Sequence, residues 1–310
     1  MTSLICGSLA YDTIMSFEGR FAEALLADQL HKINVAFLVP AMRREFGGCA
    51  GNIAYNLRLL GGDPLIMATV GQDSTPYLER LALQGIPTRC IRTIDDAWTA
   101  QAFITTDADS NQITAFHPGA MTFSHLNKVA QAGPIKLAIV APDGRDGMLQ
   151  HARECVALEV PFVFDPGQGL PMFSGAELRD FIALATYVAV NDYEAELLTG
   201  RTGLSLAQIA LQVEALVVTR GENGAEIHVG GERLDIPPVP VETVIDPTGC
   251  GDAFRAGMLF GLTHDLDWPT IGRLSSLMGS IKIAHQGGQN HTVSRADIEE
   301  RFMAAFGYRF

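Results

Sequence analysis

The chain has 310 residues, of which 47% are hydrophobic and 18% charged, which predicts a globular protein with a large buried core rather than a disordered one. The net charge of −13 argues against general nucleic-acid binding, because such binding needs a basic surface. No segment has the length and hydrophobicity of a membrane span. Five scattered cysteines without metal-ligand spacing are typical of reduced thiols in a cytoplasmic protein. We expect one domain over residues 1–310.

Short apolar segments alternate with longer segments of helical length along most of the chain. The apolar segments are continuous and mostly aliphatic, which is typical of strands buried on both faces. They are residues 4–8, 65–70, 137–141, 161–165, 187–191 and 215–219. The predicted helices are residues 51–60, 75–84, 145–158, 176–185 and 192–198. This alternation predicts a parallel sheet with helices on both sides, whose ligands bind beyond the carboxyl ends of the strands.

Two segments, about 13–46 and 99–121, interrupt the alternation. In the second of them, residues 103–106 and 113–116 flank the polar residues 107–111, and this pattern predicts a β-hairpin. We expect both segments to form one small β-sheet that covers the active site as a lid. The alternative is that they are two separate surface excursions.

The segment Asp-Pro-Thr-Gly-Cys-Gly-Asp, which ends at Asp252, gives the most information about the reaction. Gly249, Cys250 and Gly251 predict a turn that exposes backbone N–H groups at the start of a helix, where the helix dipole also favours an anion. A carboxylate at such a place would normally repel the anion. We therefore predict that Asp252 accepts a proton from an attacking hydroxyl group, and that the segment supports phosphoryl transfer.

A second glycine cluster precedes the first predicted helix. Gly47 and Gly48 let another group approach the backbone closely, and Asn52 can hydrogen-bond vicinal hydroxyl groups, although tight packing alone is the alternative. The cluster lacks the Gly-x-Gly-x-x-Gly order of dinucleotide-binding folds, which argues against an oxidoreductase. Neither glycine cluster is followed by the lysine of a P-loop, so any use of ATP occurs without one.

These two clusters resemble the signatures of the ribokinase-like (pfkB-type) kinases of sugars and nucleosides, and the resemblance covers nearly the whole chain. Residues 47–48 with Asn52 resemble the N-terminal signature of the family, and residues 246–252 resemble its C-terminal signature. The chain departs from the second signature at Cys250, where alanine is usual, and at the inserted Pro247. The resemblance implies a three-layer α/β/α fold with a mostly parallel central sheet and a small β lid.

Two further motifs between the signatures strengthen the resemblance. Asn191 and Glu194 resemble the family's Asn-x-x-Glu motif, which positions Mg²⁺ through water, although the tetrapeptide alone would be read as a helix start. Residues 217–225 resemble its nucleotide-binding strand and turn. The ATP-binding residues implied are Asn191, Thr219, Gly221, Gly224 and Arg255. The last of these holds an ATP phosphate or forms a surface salt bridge. The implied cofactors are ATP and Mg²⁺, and whether K⁺ binds near the Asp246 loop stays open.

The resemblance also assigns substrate-binding and catalytic roles. It makes Asp252 the catalytic base and the Gly249, Cys250 and Gly251 turn the anion hole. Asp12 matches the carboxylate that grips two sugar hydroxyl groups, with an exposed strand-end aspartate as the alternative. We expect the substrate to contact Asp12, Gly47, Gly48, Asn52, Phe37, Phe103, Phe116 and Met121. The last four lie in the lid segments, where they form an apolar slot for a purine or pack only within the lid.

The form of the first signature and residues 116–121 are similar to nucleoside kinases of the adenosine-kinase branch. This similarity implies ATP-dependent phosphorylation of the ribose 5′-hydroxyl group of a nucleoside, with adenosine expected first and inosine or guanosine next. A ribose or fructose kinase is the alternative, and a catalytically inactive nucleotide- or sugar-binding regulator is the alternative of another class. The expected partner is a small molecule, not a nucleic acid or a membrane. The sequence does not distinguish a monomer from a homodimer.

Overall fold

The apolar segments form buried strands in the computed structural model, which describes residues 1–24 and 34–310. The strands, in chain order, are β1 (Thr2–Cys6), β2 (Ala10–Ser16), β3 (Ala41–Gly47), β4 (Asp63–Gly71), β5 (Ile91–Ile94), β6 (Ala100–Thr106), β7 (Gln112–His117), β8 (Leu137–Val140), β9 (Phe162–Phe164), β10 (Tyr187–Asn191), β11 (Ala215–Thr219), β12 (Ala225–Val229) and β13 (Glu232–Ile236). Within the described residues they make a nine-stranded sheet, in the order β13-β12-β11-β10-β9-β8-β1-β4-β5, and a four-stranded sheet, in the order β3-β2-β6-β7.

The large sheet is mostly parallel, as predicted. The pairs from β11 through β10, β9, β8, β1 and β4 to β5 are all parallel, whereas β12 pairs antiparallel with β11 and with β13. Parallel strands need crossover connections, and most of these crossovers contain a helix. The carboxyl ends of β1, β8, β9, β10 and β11 consequently meet at one edge of the sheet.

Helices cover both faces of this sheet. In chain order they are α1 (Phe21–Ala24), α2 (Cys49–Leu59), α3 (Thr75–Leu83), α4 (Arg145–Ala157), α5 (Gly175–Leu184), α6 (Asp192–Thr202), α7 (Leu206–Ala210), α8 (Cys250–Thr263), α9 (Trp268–Ile283) and α10 (Arg295–Phe306). Successive strand residues point to opposite faces. Thus Ile5 of β1 lies in one apolar core with residues of α2, α8, α9 and α10, while its neighbour Leu4 lies in a second core with residues of α4 to α7. The three-layer α/β/α arrangement is confirmed.

The four-stranded sheet is formed by the two segments that interrupt the alternation. β2 pairs antiparallel with β3 and parallel with β6, and β6 and β7 form the predicted hairpin. The turn is closed by the Asp107 N–H group, which donates to the Asn111 carbonyl oxygen at 3.0 Å. The sheet starts at Ala10, earlier than residue 13, and residues 25–33 of the expected lid segment lie outside the described residues. Among the residues described, no helix is long and apolar enough to cross a membrane.

Candidate active site

The predicted turn lies at the start of α8, where Gly249 is the N-cap residue. Its φ of +79° is in the left-handed region, which favours glycine. The Cys250 N–H group donates to the Pro247 carbonyl oxygen at 3.1 Å and so closes the turn. The N–H groups of Gly249 and Gly251 have no acceptor within the described part of the chain. These two amides at the positive end of α8 can therefore receive an anion, while the third amide of the predicted anion hole is engaged in the turn.

Asp252 lies in the first turn of α8 and accepts a hydrogen bond from the Asn52 side-chain amide at 2.8 Å. Burial raises the pKa of this carboxyl group to about 6, and the hydrogen bond from Asn52 opposes part of that rise. Such a carboxylate is ionised at neutral pH, yet it is a stronger base than an exposed aspartate. The structure therefore brings a proton acceptor and the two free amides together, which is the geometry that phosphoryl transfer requires.

A chain of hydrogen bonds holds Asn52 in one orientation. The Gln289 side-chain amide donates to the Asn52 Oδ1 atom at 3.1 Å and to the Tyr77 hydroxyl oxygen at 2.8 Å, and the Tyr77 hydroxyl donates to the Gly47 carbonyl oxygen at 2.6 Å. Because Oδ1 of Asn52 is the acceptor here, its amide nitrogen faces Asp252. Gln289 and Tyr77 belong to neither signature and were not among the predicted site residues.

Asp12 of β2 lies against the first glycine cluster. A Cβ atom added at Gly47 would collide with the Asp12 carboxylate. Gly48 has a φ of +85°, and a Cβ atom there would lie 2.6 Å from the Ser8 carbonyl oxygen. Both glycines therefore allow close packing, and this packing brings Asp12 to the site. Burial, followed by the charge of Glu45, raises the pKa of Asp12 to about 6.

The three phenylalanines and one methionine that were expected to form one slot in the lid lie at different places in the structure. Asp12, Ala102 and Phe116 are paired across β2, β6 and β7, so they share the face of the small sheet that lies over the site. Phe103 follows Ala102 directly and therefore lies on the opposite face. Phe116 is 52% exposed, and the strand pairing places it on the same face as Asp12, with Ala102 between them.

The other two lid residues lie elsewhere. Phe37 packs against Phe17 and Phe21, with ring centroids 4.9 and 5.1 Å away, beyond the last residue of β2. Met121 lies in the 3₁₀ segment that follows β7, and its carbonyl oxygen is close to Gly144. The structure therefore does not gather all four residues into one slot.

A cleft of about 290 Å³ adjoins the turn at Gly249. Thr219 at the end of β11 lines it together with Gly221 and Gly224, as does the turn residue Gly251. Its remaining lining is mostly apolar, including Val239, Val241, Val244, Phe254 and Ile283. A cleft with apolar walls that ends at an anion-binding turn fits a nucleotide whose base lies between the walls and whose phosphates reach the turn.

Asn191 and Glu194 lie at the junction of β10 and α6. The Asn191 Oδ1 atom accepts from the Glu194 N–H group at 2.7 Å, and Glu194 accepts from the Asn191 N–H group at 2.8 Å, which makes a reciprocal capping box. Burial, and then the charge of Asp165, raises the pKa of Glu194. The helix-start interpretation is therefore correct for this motif, and Glu194 also lies near enough to Asp165 and Arg255 for their charges to act on it.

A surface salt bridge was one of the two roles expected of Arg255. Arg255 does form a salt bridge, but that salt bridge is buried and not on the surface. Its guanidinium group donates two hydrogen bonds to Asp165, at 3.1 and 3.2 Å, and both residues are about 5% exposed. Asp165 follows β9 and was missed, although it is the last residue of a predicted strand, at the edge where ligands of parallel sheets bind. Arg255 also lies within reach of the turn, 4.0 Å from the position of a Cβ atom at Gly251.

The thiol of Cys250 at the centre of the turn is half-buried. Burial raises the pKa of Cys250 to about 11, so it is protonated and a poor nucleophile. Its Sγ atom lies 3.9 Å from the Asp246 carbonyl oxygen. Cysteine is thus compatible with an anion hole that is built from backbone amides.

Comparison with known proteins agrees with this geometry. The chain matches the pfkB family carbohydrate kinases over residues 20–295. Its structure is similar to that of Burkholderia thailandensis nucleoside kinase in complex with inosine, with 59% sequence identity, a TM-score of 0.91 and 99% of each chain covered. The same kinase in complex with ADP-inosine gives 60% identity and a TM-score of 0.88, covering 99% of this chain and 97% of that one. A nucleoside kinase of Methanocaldococcus jannaschii is 28% identical over 305 residues, or 97% of each chain. The chain therefore belongs to the pfkB family of carbohydrate kinases.

Proposed function

We propose that the protein is an ATP-dependent nucleoside kinase that phosphorylates the ribose 5′-hydroxyl group. The observation that carries this proposal is the position of Asp252, which lies directly behind two free turn amides at the end of the nucleotide cleft. The solved relative that is 60% identical binds inosine and is also known in complex with ADP-inosine. A catalytically inactive regulator would not need a base with a raised pKa beside an anion site.

In the proposed reaction the nucleoside hydroxyl oxygen attacks the γ-phosphorus of ATP while Asp252 accepts the hydroxyl proton. The new bond joins the 5′-oxygen to phosphorus, the bond between phosphorus and the bridging oxygen to the β-phosphate breaks, and ADP leaves with that electron pair. The N–H groups of Gly249 and Gly251 stabilise negative charge on the transferred phosphoryl group. Asn52 holds the base in line through its hydrogen bond to the carboxylate.

Mg²⁺ would be held near Glu194 and Asn191. Within the part of the chain that the structure describes, no group of three or more His, Cys, Asp or Glu side chains could hold a metal ion alone. Asn191 and Glu194 would hold Mg²⁺ through its water ligands, since this hard cation retains much of its hydration. When bound, the ion would neutralise charge on the phosphates.

The inner face of the lid favours a nucleoside over a free sugar. Asp12 can accept hydrogen bonds from two ribose hydroxyl groups. The same face carries the apolar side chains of Ile14, Ala102, Ile104 and Phe116, as the strand pairing shows. A free sugar has hydroxyl groups on all sides and gains little from such a surface, whereas a purine stacks on it.

A steady-state assay tests the substrate assignment. We expect ADP release with Mg-ATP and inosine or adenosine, with kcat/KM well above that for ribose or fructose. A higher kcat/KM for either sugar would leave the family intact and overturn the nucleoside assignment. No ADP release above background with any nucleoside or sugar would overturn the kinase itself. The ratio of kcat/KM for inosine to that for adenosine then gives the purine preference. Adenosine is the nucleoside that the sequence predicts first.

The acid side of the pH profile follows from the two site carboxyl groups. Asp252 acts as a base only when ionised, and its raised pKa means that it takes up a proton near pH 6 as the pH falls, not near pH 4 as an exposed aspartate does. Asp12 has a similarly raised pKa of about 6. We therefore expect kcat/KM to fall below about pH 6, with a slope steeper than that of one proton. A fall in kcat/KM that begins only near pH 4 and follows one proton would contradict both assignments.

A further inference from the structure

One buried charge is not used by the proposed reaction. Lys282, near the end of α9, has a relative exposure of 0%, and no carboxylate of the described residues lies within ion-pair distance of its ammonium group. The ammonium instead donates to two backbone carbonyl oxygens, that of Asp246 at 2.6 Å and that of His285 at 3.1 Å. Burial lowers the pKa of Lys282. A buried lysine is costly, so its retention between two carbonyl groups requires a reason.

The two carbonyl groups belong to the two loops that border the anion hole. Asp246 begins the segment that leads to Gly249, and its carboxylate accepts from the N–H groups of Gly287 at 2.8 Å and Thr248 at 2.9 Å. The N–H groups of Asp246 and of the residue before it both donate to the carbonyl oxygen of Ile283, at 3.1 and 2.9 Å. The loop before the anion hole is thereby tied to the loop after α9.

The second loop continues directly into the substrate side of the site. The Gly288 Cα atom lies 3.1 Å from the position of a Cβ atom on Gly249, so the two loops are in contact at the turn itself. The next residue, Gln289, orients Asn52, which donates to Asp252. A displacement of the loop at Asp246 would therefore move both the anion hole and the residue that aligns the base.

We propose that Lys282 is a positioning residue whose ammonium group is a built-in cation for the anion hole, so that phosphoryl transfer needs no external monovalent cation. This inference rests on the proposed kinase function. The sequence leaves open whether K⁺ binds near the Asp246 loop. Such an ion would need carbonyl oxygens of this loop as ligands. The carbonyl oxygen of Asp246 already accepts a hydrogen bond from the Lys282 ammonium group. The residues present therefore do not fit K⁺ at this position.

The first test uses the unmodified protein. At constant ionic strength, kcat for the nucleoside should be the same in potassium, sodium and choline chloride, and the melting temperature should also be the same in all three salts. A clear rise of kcat on replacing choline by potassium would overturn the inference while leaving the kinase function intact. Absence of nucleoside-dependent ADP release in every salt would instead overturn the proposed function.

The second test removes the ammonium group. Lys282→Ala should lower kcat by up to roughly 100-fold, because a small displacement of the catalytic groups has effects of that size, with a smaller change in the nucleoside KM. Propylammonium matches the deleted part of the side chain, so its addition should restore part of kcat and raise the melting temperature of the variant. Full activity of Lys282→Ala without any added cation would overturn the inference.

A matched control is available in Lys136. Its ammonium group also donates to a backbone carbonyl oxygen, that of Thr263 at 2.9 Å, but it lies at the far end of α8 and pairs with the exposed Asp265. Lys136→Ala should leave kcat unchanged and show no response to propylammonium. If Lys282→Ala does not fold, the salt comparison on the unmodified protein still decides the question.

Discussion

Asp252→Asn is expected to lower kcat by roughly 10²- to 10⁴-fold, which is the usual loss when a general base is removed. The amide of the new side chain matches the carboxylate in size, and its oxygen can still accept the hydrogen bond from Asn52. It cannot accept a proton from the nucleoside hydroxyl group. Because we propose that Asp12 and the lid also hold the nucleoside, its Kd should change far less than kcat.

Initial rates and calorimetric titration with inosine would separate these two effects. Asp146→Asn is a suitable control, because Asp146 also lies in the first turn of a helix, α4, but its side chain is 70% exposed. The control should retain normal kcat. If Asp252→Asn lost nucleoside binding in proportion to rate, or kept kcat within tenfold of the unmodified protein, Asp252 would not be the base.

Arg255→Met is expected to lower the free energy of unfolding by about 3–5 kcal/mol, the cost of removing one partner of a buried ion pair. The variant leaves Asp165 buried without the two hydrogen bonds that now satisfy it. It also removes the positive charge that favours ionised Glu194, so two carboxylates are left to repel each other. Arg255 therefore supports the nucleotide side of the site through Asp165 and Glu194.

Denaturant unfolding at neutral pH measures this effect. Arg20→Met removes one partner of an exposed pair with Asp109, in which both side chains are half exposed, and it should change the free energy of unfolding by no more than about 1 kcal/mol. Replacing Asp165 by Leu in the Arg255→Met background should recover much of the loss, because a buried apolar pair avoids the desolvation of a lone charge. Equal effects of Arg255→Met and Arg20→Met would contradict the role assigned to the buried pair.

The inner parallel strands could be predicted because their residues are buried on both faces. The predicted segments 187–191 and 215–219 coincide with β10 and β11. The edge strands were missed for the same physical reason. β13 alternates apolar residues with the exposed Glu232, Arg233 and Asp235, so it has no continuous apolar run. The pattern used for the prediction is a property of a strand with helices on both sides, and an edge strand does not have it.

The candidate site divides in a similar way. The Gly-x-Gly turn with Asp252 and the capping box of Asn191 and Glu194 are local, since each depends on residues within one turn of a helix. A few consecutive residues are therefore enough to predict the chemistry of these two motifs. Phe116 and Phe103 show the limit, because the register of β6 with β7 puts them on opposite faces, and only the pairing of β6 with β2 decides which of the two faces also carries Asp12.

The order of residues in the chain was enough to indicate the family and the reaction and to predict the base, because those depend on short motifs whose backbone and side-chain groups are neighbours in sequence. The partners that hold these motifs in place are distant in sequence: Gln289 reaches Asn52 across 237 residues, and Lys282 reaches Asp246 across 36. Such contacts depend on how α9 and the following loop pack against α8. Burial then sets their energetics, since a hydrogen bond or charge removed from water becomes costly to lose.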